Sequence, residues 1–163
     1  MKTPSRPFGS RRGNAMVEFA LSAMVLTYAF TGIFQFGYSM YLYNELQGAV
    51  RAGARYGSVA QISNSGATNT QDATWQANVK NVVVYGTPSP GNSPTPVVPG
   101  LGTGNVTATA YFDSAKNYVP TYVTVNISNY SIDAVIKTFT LSNKPLLKMP
   151  FMGNYCVAST SSC

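Results

Sequence analysis

The chain has no histidine, only two cysteines (Cys156 and Cys163) and few charges: 10% of its 163 residues, with five carboxylates. An ordinary soluble domain carries about 25% charged residues. Without histidine there is no Ser-His-Asp or Cys-His arrangement and none of the usual histidine-containing zinc sites. Glu18, Glu45, Asp72, Asp113 and Asp133 are scattered along the chain, so they form no paired acid/base motif. A phosphate-cradling GxxxxGK[ST] loop is also missing. These absences argue against an enzyme and against a bound cofactor or metal. The net charge of +6 suggests nucleic acid, but its distribution does not. Lys2, Arg6, Arg11 and Arg12 stand together at the start, and the remaining basic residues nearly balance the acids. No basic stripe is left to follow a phosphate backbone.

What the chain has instead is a long apolar run. Phe19 to Asn44 carries no charge and rises about 39 Å as a helix, enough to cross a hydrocarbon core of about 30 Å with some tilt. The span is expected at about residues 19–44. Tyr38, Tyr41 and Tyr43 crowd its far end, where an interfacial aromatic belt belongs, and the basic residues before it put the N-terminal side in the cytoplasm. A cleaved secretory signal would have an apolar region of about 7–15 residues, and this run is too long. One carboxylate, Glu18, stands at its start. At the centre of a bilayer such a charge costs about 2.5–3.5 kcal/mol, so it calls for a partner.

Helical spacing continues past the run through Leu46, Val50, Gly53, Ala54 and Gly57, giving one expected helix over 14–60. Gly48, Ala49, Ala52, Gly53 and Gly57 form a smooth stripe. It suits close approach of another helix or packing against the chain's own domain.

Residues 61–163 read as a small extracytoplasmic α+β domain. Asn69 or Thr70 can cap a helix in which Trp75, Val79, Val82 and Val83 share a face, ending at Gly86. The Pro/Gly-rich stretch 86–104 reads as a loop without a core. Val106–Phe112 and Val123–Ile127 alternate apolar and polar residues, which predicts an antiparallel pair. Ser131 can cap a short helix with Ile132, Val135, Ile136 and Phe139 on one face and an Asp133–Lys137 pair on its surface. A last strand over Leu146–Val157 contains Pro150, which puts it at a sheet edge.

Gly13 is followed, five residues on, by Glu18, then by the aromatic Phe19 and the apolar helix. With the basic leader this resembles the class III signal of type IV pilins and pseudopilins. The stretch from Arg11 to Val59, including "VRAGARYG", resembles a TadE-like pseudopilin of the Tad (tight adherence) pilus. The resemblance implies a type IV pilin-like fold: a long N-terminal helix and a small antiparallel-sheet domain. It implies that residues 1–13 are a leader cut after Gly13 by a prepilin peptidase, exposing the amino group of Asn14. Glu18 would then pair with that amino group, in its own helix or on a neighbouring subunit, and set the register between helices. Phe19, Gly48, Ala52, Gly53 and Gly57 would pack helix against helix. Asn14 departs from the phenylalanine usual at that position in type IV pilins.

The implied role is a structural subunit of a pilus filament, concerned with assembly and surface adhesion. The roughly 100 residues beyond the helix favour a minor over a major pilin. An uncleaved single-pass membrane protein with a binding ectodomain is the alternative. Implied partners are other pilus subunits, the peptidase, an inner-membrane platform protein, a cytoplasmic assembly ATPase and, before assembly, lipid. The implied location is the bacterial inner membrane, then the cell surface. Beyond the membrane Cys156 and Cys163 meet an oxidising compartment, where they form a disulfide, stay free or bridge between chains; type IV pilins often carry a C-terminal bridge.

Overall fold

A computed structural model describes residues 11–64, 72–116, 119–133 and 138–157. The architecture is the expected α+β one: a long helix, α1 (Arg11–Val59), followed by a small domain of short strands and a second helix. The strands are β1 (Ile62–Asn64), β2 (Val106–Asp113), β3 (Val119–Ile127), β4 (Tyr130–Ile132), β5 (Phe139–Leu141), β6 (Leu146–Pro150) and β7 (Tyr155–Val157); α2 is Ala73–Tyr85. They form an antiparallel sheet of order β2-β3-β6, a β4–β5 hairpin and a parallel β1–β7 pair.

The core follows from two periodicities. Along α1, Leu42, Leu46, Ala49, Val50 and Ala54 recur at three- and four-residue steps and are buried. On α2 the buried residues are Trp75, Val79, Val82, Val83 and Val84. In the sheet, Val106, Ala108 and Ala110 of β2 face Ile127, Val125 and Val123 of β3, each pair in register. All six are buried, and the residues between them turn outward. The upper half of α1 and α2 thus cover one face of the sheet. On the other face Tyr111 and Tyr122 stack with ring centroids 4.4 Å apart, and Lys148 Nζ lies 3.5 Å above the Tyr122 ring.

Four expectations are corrected. The N-cap of α2 is Asp72, not Asn69 or Thr70, which lie outside the described residues; its carboxylate accepts from the backbone N–H groups of Thr74 and Trp75. Gly86 ends the helix as expected, at φ 75°. Second, the 86–104 segment has a core: Val98 and Leu101 are 0% and 2% exposed. The loop is held by Val97 N–H donating to the Val84 carbonyl (2.7 Å) and Asn81 Nδ2 donating to that of Pro88 (3.0 Å).

Third, the segment from Ser131 to Phe139 is not a helix at its ends. Tyr130–Ile132 and Phe139–Leu141 pair as an antiparallel hairpin, and the Ser131 and Thr140 hydroxyls meet at 3.2 Å. The apolar residues that suggested one helical face also fit period two, and Tyr130 and Ile132 bury their side chains on the same side of a strand. Residues 134–137, with Val135, Ile136 and Lys137, lie outside the described residues; Asp133 accepts from the Thr138 hydroxyl at 3.2 Å. Fourth, the expected last strand is two strands, β6 and β7, separated at 151–154. The strand with Pro150 is an edge strand, as the missing N–H requires.

Candidate functional site

Among the described residues, the lower half of α1, from Gly13 to Phe34, is almost uncovered: only Ala23 and Thr31 are even half-buried. Its side chains are apolar. Met16, Phe19, Val25, Ile33 and Phe34 are each exposed by 70% or more. A soluble monomer rarely presents a contiguous apolar surface of this size, so the segment is built for lipid or for other helices. Two of its hydroxyls are satisfied within the helix. Thr27 Oγ1 donates to the Ala23 carbonyl and Thr31 Oγ1 to that of Thr27, both at 2.8 Å. Hydroxyls that bond back to the preceding turn need no water. Among the described residues, this helix is long and apolar enough to cross a membrane.

Gly13 and Asn14 lie in the first turn of α1, and both are exposed. First-turn N–H groups have no intrahelical acceptor, so this peptide bond is in the part of the helix that opens most easily. Glu18, one turn further, is exposed, and Phe19 beside it is 75% exposed. The first turns of α1 thus bring Gly13, Asn14 and Glu18 together at one end of the apolar surface.

From Gln35 upward α1 acquires a covered face. Gln35 is 8% exposed although polar, and Ser39, Leu42, Leu46, Ala49, Gly53 and Gly57 continue the same face. The small-residue stripe divides between two faces. A Cβ on Gly53 would overlap Val83 Cγ2, and one on Gly57 would lie 3.1 Å from both Trp75 Cζ2 and Val79 Cγ2. These two glycines let α2 approach α1, and Trp75 Nε1 donates to the Gly57 carbonyl at 3.2 Å. Gly48 has nothing within 4 Å of a Cβ, and Ala52 is exposed, so these two look outward with Arg51 and Arg55.

Cys156 stands in β7 opposite Ser63, and Cys163 lies outside the described residues. Sequence reasoning missed the groove of about 480 Å³ between α1 (Phe36, Met40, Tyr43) and the hairpin (Ile132, Phe139, Leu141). The one available signal was the spacing of Gln35 and Ser39 in phase with Leu42 and Leu46. Above the groove, the Tyr130 hydroxyl donates to the Pro99 carbonyl at 2.8 Å. Burial pushes its pKa above the ordinary tyrosine value, and nearby Tyr38 and Asp133 add to the shift. Among the described residues no group of three His, Cys, Asp or Glu side chains could hold a metal ion.

The family model described as TadE-like protein matches residues 13–55. This part of the chain is similar to that family. The matched segment opens at Gly13 and covers the whole exposed apolar surface together with the start of the packed half of α1. The match concerns this helix alone, and the helix is apolar enough to suit membrane anchoring. No curated protein and no solved structure matches the chain.

Proposed function

We propose that the protein is a minor pilin-like subunit of a Tad-type pilus. It is made as an inner-membrane precursor with the ectodomain outside and is cut after Gly13 by a prepilin peptidase. Its helix then moves laterally from lipid into a growing filament or an initiating complex that serves surface adhesion. The observation that carries this reading is α1, which resembles a TadE-like protein: largely apolar and almost fully exposed over Gly13–Phe34, with Gly13, Asn14 and Glu18 at its start.

The same residues suggest the assembly chemistry. Cutting after Gly13 creates a positive amino group on Asn14, and Glu18 supplies the opposite charge within an apolar surround where an unpaired carboxylate is costly. If the pair forms between neighbouring subunits, it fixes the axial register of helices that otherwise slide on apolar contacts. Outward-facing Gly48 and Ala52 allow a neighbouring backbone to come close higher up. Partners under this reading are other pilus subunits, the peptidase, a membrane platform protein and, indirectly, a cytoplasmic ATPase.

The deciding experiment is N-terminal sequencing of the protein recovered from membranes and from sheared surface material. A mature chain beginning at Asn14 is the expected result. A chain that keeps its leader in both fractions overturns the proposal and favours an uncleaved single-pass membrane protein. Enrichment of the chain as the main component of purified filaments would make it a major subunit instead.

A further inference from the structure

Hydropathy and packing disagree about where the membrane sits. The uncharged run Phe19–Asn44 is longer than one bilayer core, and its upper part is where the ectodomain is mounted. The groove between α1 and the β4–β5 hairpin is lined on the helix side from Gly32 to Tyr43. A bilayer covering Phe19–Asn44 would therefore submerge the hairpin as well. Among the described residues β4 and β5 form a two-stranded sheet, so each has an edge outside this ladder. Such edges are not tolerated in hydrocarbon, because nothing there hydrogen-bonds to the backbone.

Packing supplies a boundary that resolves this. The helix is exposed up to Phe34, apart from half-buried Ala23 and Thr31, and buried on one face from Gln35, a polar residue only 8% exposed. From Gly13 to Phe34 the rise is about 31 Å at about 1.5 Å per residue, the thickness of one hydrocarbon core. Both ends agree: Arg11 and Arg12 fall at the inner face and the hairpin falls at the outer one. Just above that level the apolar surface continues without a break from the helix onto the domain. Phe36 is 65% exposed, Met40 48% and, on the hairpin, Phe139 46%.

We propose that the bilayer covers Gly13–Phe34, centred near Met24, and that the β4–β5 hairpin is a second membrane contact. It rests on the outer leaflet with Phe139 in the headgroup layer, so the ectodomain sits directly on the lipid and not on a stalk. Phe36, Met40 and the adjoining tyrosines then form the interfacial belt. Glu18 lies about one turn inside the inner face, where a carboxylate reaches polar headgroups at much lower cost than at mid-bilayer. This inference rests on the reading of α1 as a membrane anchor.

The test uses the full chain in phosphatidylcholine vesicles, with lipids brominated either near the headgroup or near the bilayer centre as quenchers of tryptophan fluorescence. The native Trp75 is 2% exposed and gives a constant background. Met24→Trp and Ile33→Trp substitute exposed helix positions, and Phe139→Trp replaces a half-exposed ring. Ile33 lies about 13 Å above Met24 along the helix. The expected result is that the Met24→Trp variant loses its added emission mainly with centre-brominated lipid. The Ile33→Trp and Phe139→Trp variants should lose theirs mainly with headgroup-brominated lipid. If position 33 is the one quenched from the centre, the span is Phe19–Asn44 and the proposed boundary is wrong. If position 24 is quenched but position 139 by neither lipid, the hairpin contact is wrong while the anchor stands. If no position is quenched, the anchor reading itself falls.

Discussion

Replacing Gly53 or Gly48 by alanine adds the same methyl group to the same helix in two different surroundings. In both cases alanine gains about 1 kcal/mol of intrinsic helix stability over glycine. At Gly48 the new Cβ meets nothing within 4 Å, so Gly48→Ala keeps the whole gain. At Gly53 the Cβ overlaps Val83 Cγ2 and lies 3.5 Å from the Val79 carbonyl oxygen. Val83 is β-branched, fully buried and in a helix, where one χ1 rotamer dominates, so it cannot swing aside freely. The overlap is relieved only by an off-rotamer valine or by parting α1 from α2, which costs about 1–3 kcal/mol by analogy with overpacked cores. Gly53→Ala therefore ends neutral to about 2 kcal/mol destabilised. The propensity gain cancels in the comparison, and the gap of about 1–3 kcal/mol between the variants isolates the packing of α2 on α1. Denaturant titration in detergent, followed by Trp75, reads this gap directly, because Trp75 sits in the same contact and is the only tryptophan. Equal stabilisation by both substitutions would refute the assignment of Gly53 to the intramolecular face.

Three further outcomes are expected. Leu101→Ala should cost about 2–5 kcal/mol in the same titration, as for a fully buried leucine; a change under about 0.5 kcal/mol would return the 86–104 segment to the solvent. Tyr130→Phe should cost about 0.5–1.5 kcal/mol near neutral pH through loss of the bond to Pro99. Its effect on pH dependence follows from the raised pKa. The folded state favours the neutral phenol, so this contribution to stability is intact below the ordinary tyrosine value of 10.0 and is lost as pH rises through the higher folded value. The variant should lose stability less steeply than the parent above pH 10.0, and parallel profiles would contradict the shift. Glu18→Ala should leave membrane insertion intact, or improve it, while lowering recovery of the chain in sheared filaments; normal recovery would remove the register role.

The sequence was most legible where one physical rule acts alone. The apolar run, the Trp75–Val83 helix face and the alternation in β2 and β3 each follow from burial with a single period, and all are found. It was less legible where two rules compete. Ile132 and Phe139 are consistent with both a helical and a strand pattern, and only the pairing partner across the hairpin decides. Val98 and Leu101 sit among prolines and glycines, so local composition hides a long-range contact. The division of the glycine stripe was equally out of reach. Gly48 and Gly53 are alike in sequence, and the difference lies in Val83, a residue of another element.

The way α1 ends has a consequence for the timing of folding. The Ser58 carbonyl accepts from Met152 N–H at 2.8 Å, and Ile62 N–H donates to the Asn154 carbonyl at 3.2 Å. Ile62 then pairs with Tyr155, and Gly153 passes so near that a Cβ there would lie 2.6 Å from the Val59 oxygen. The segment leaving the helix is thus clasped by residues that lie far along the chain from it. A ribosome delivers the whole of α1 long before it delivers the clasp, so the helix can enter the bilayer while the ectodomain is still open. Closing the clasp afterwards joins two distant parts of the domain at the point where a pull along the helix would be felt. A chain stopped before Met152 would be expected to insert normally and to fail under load.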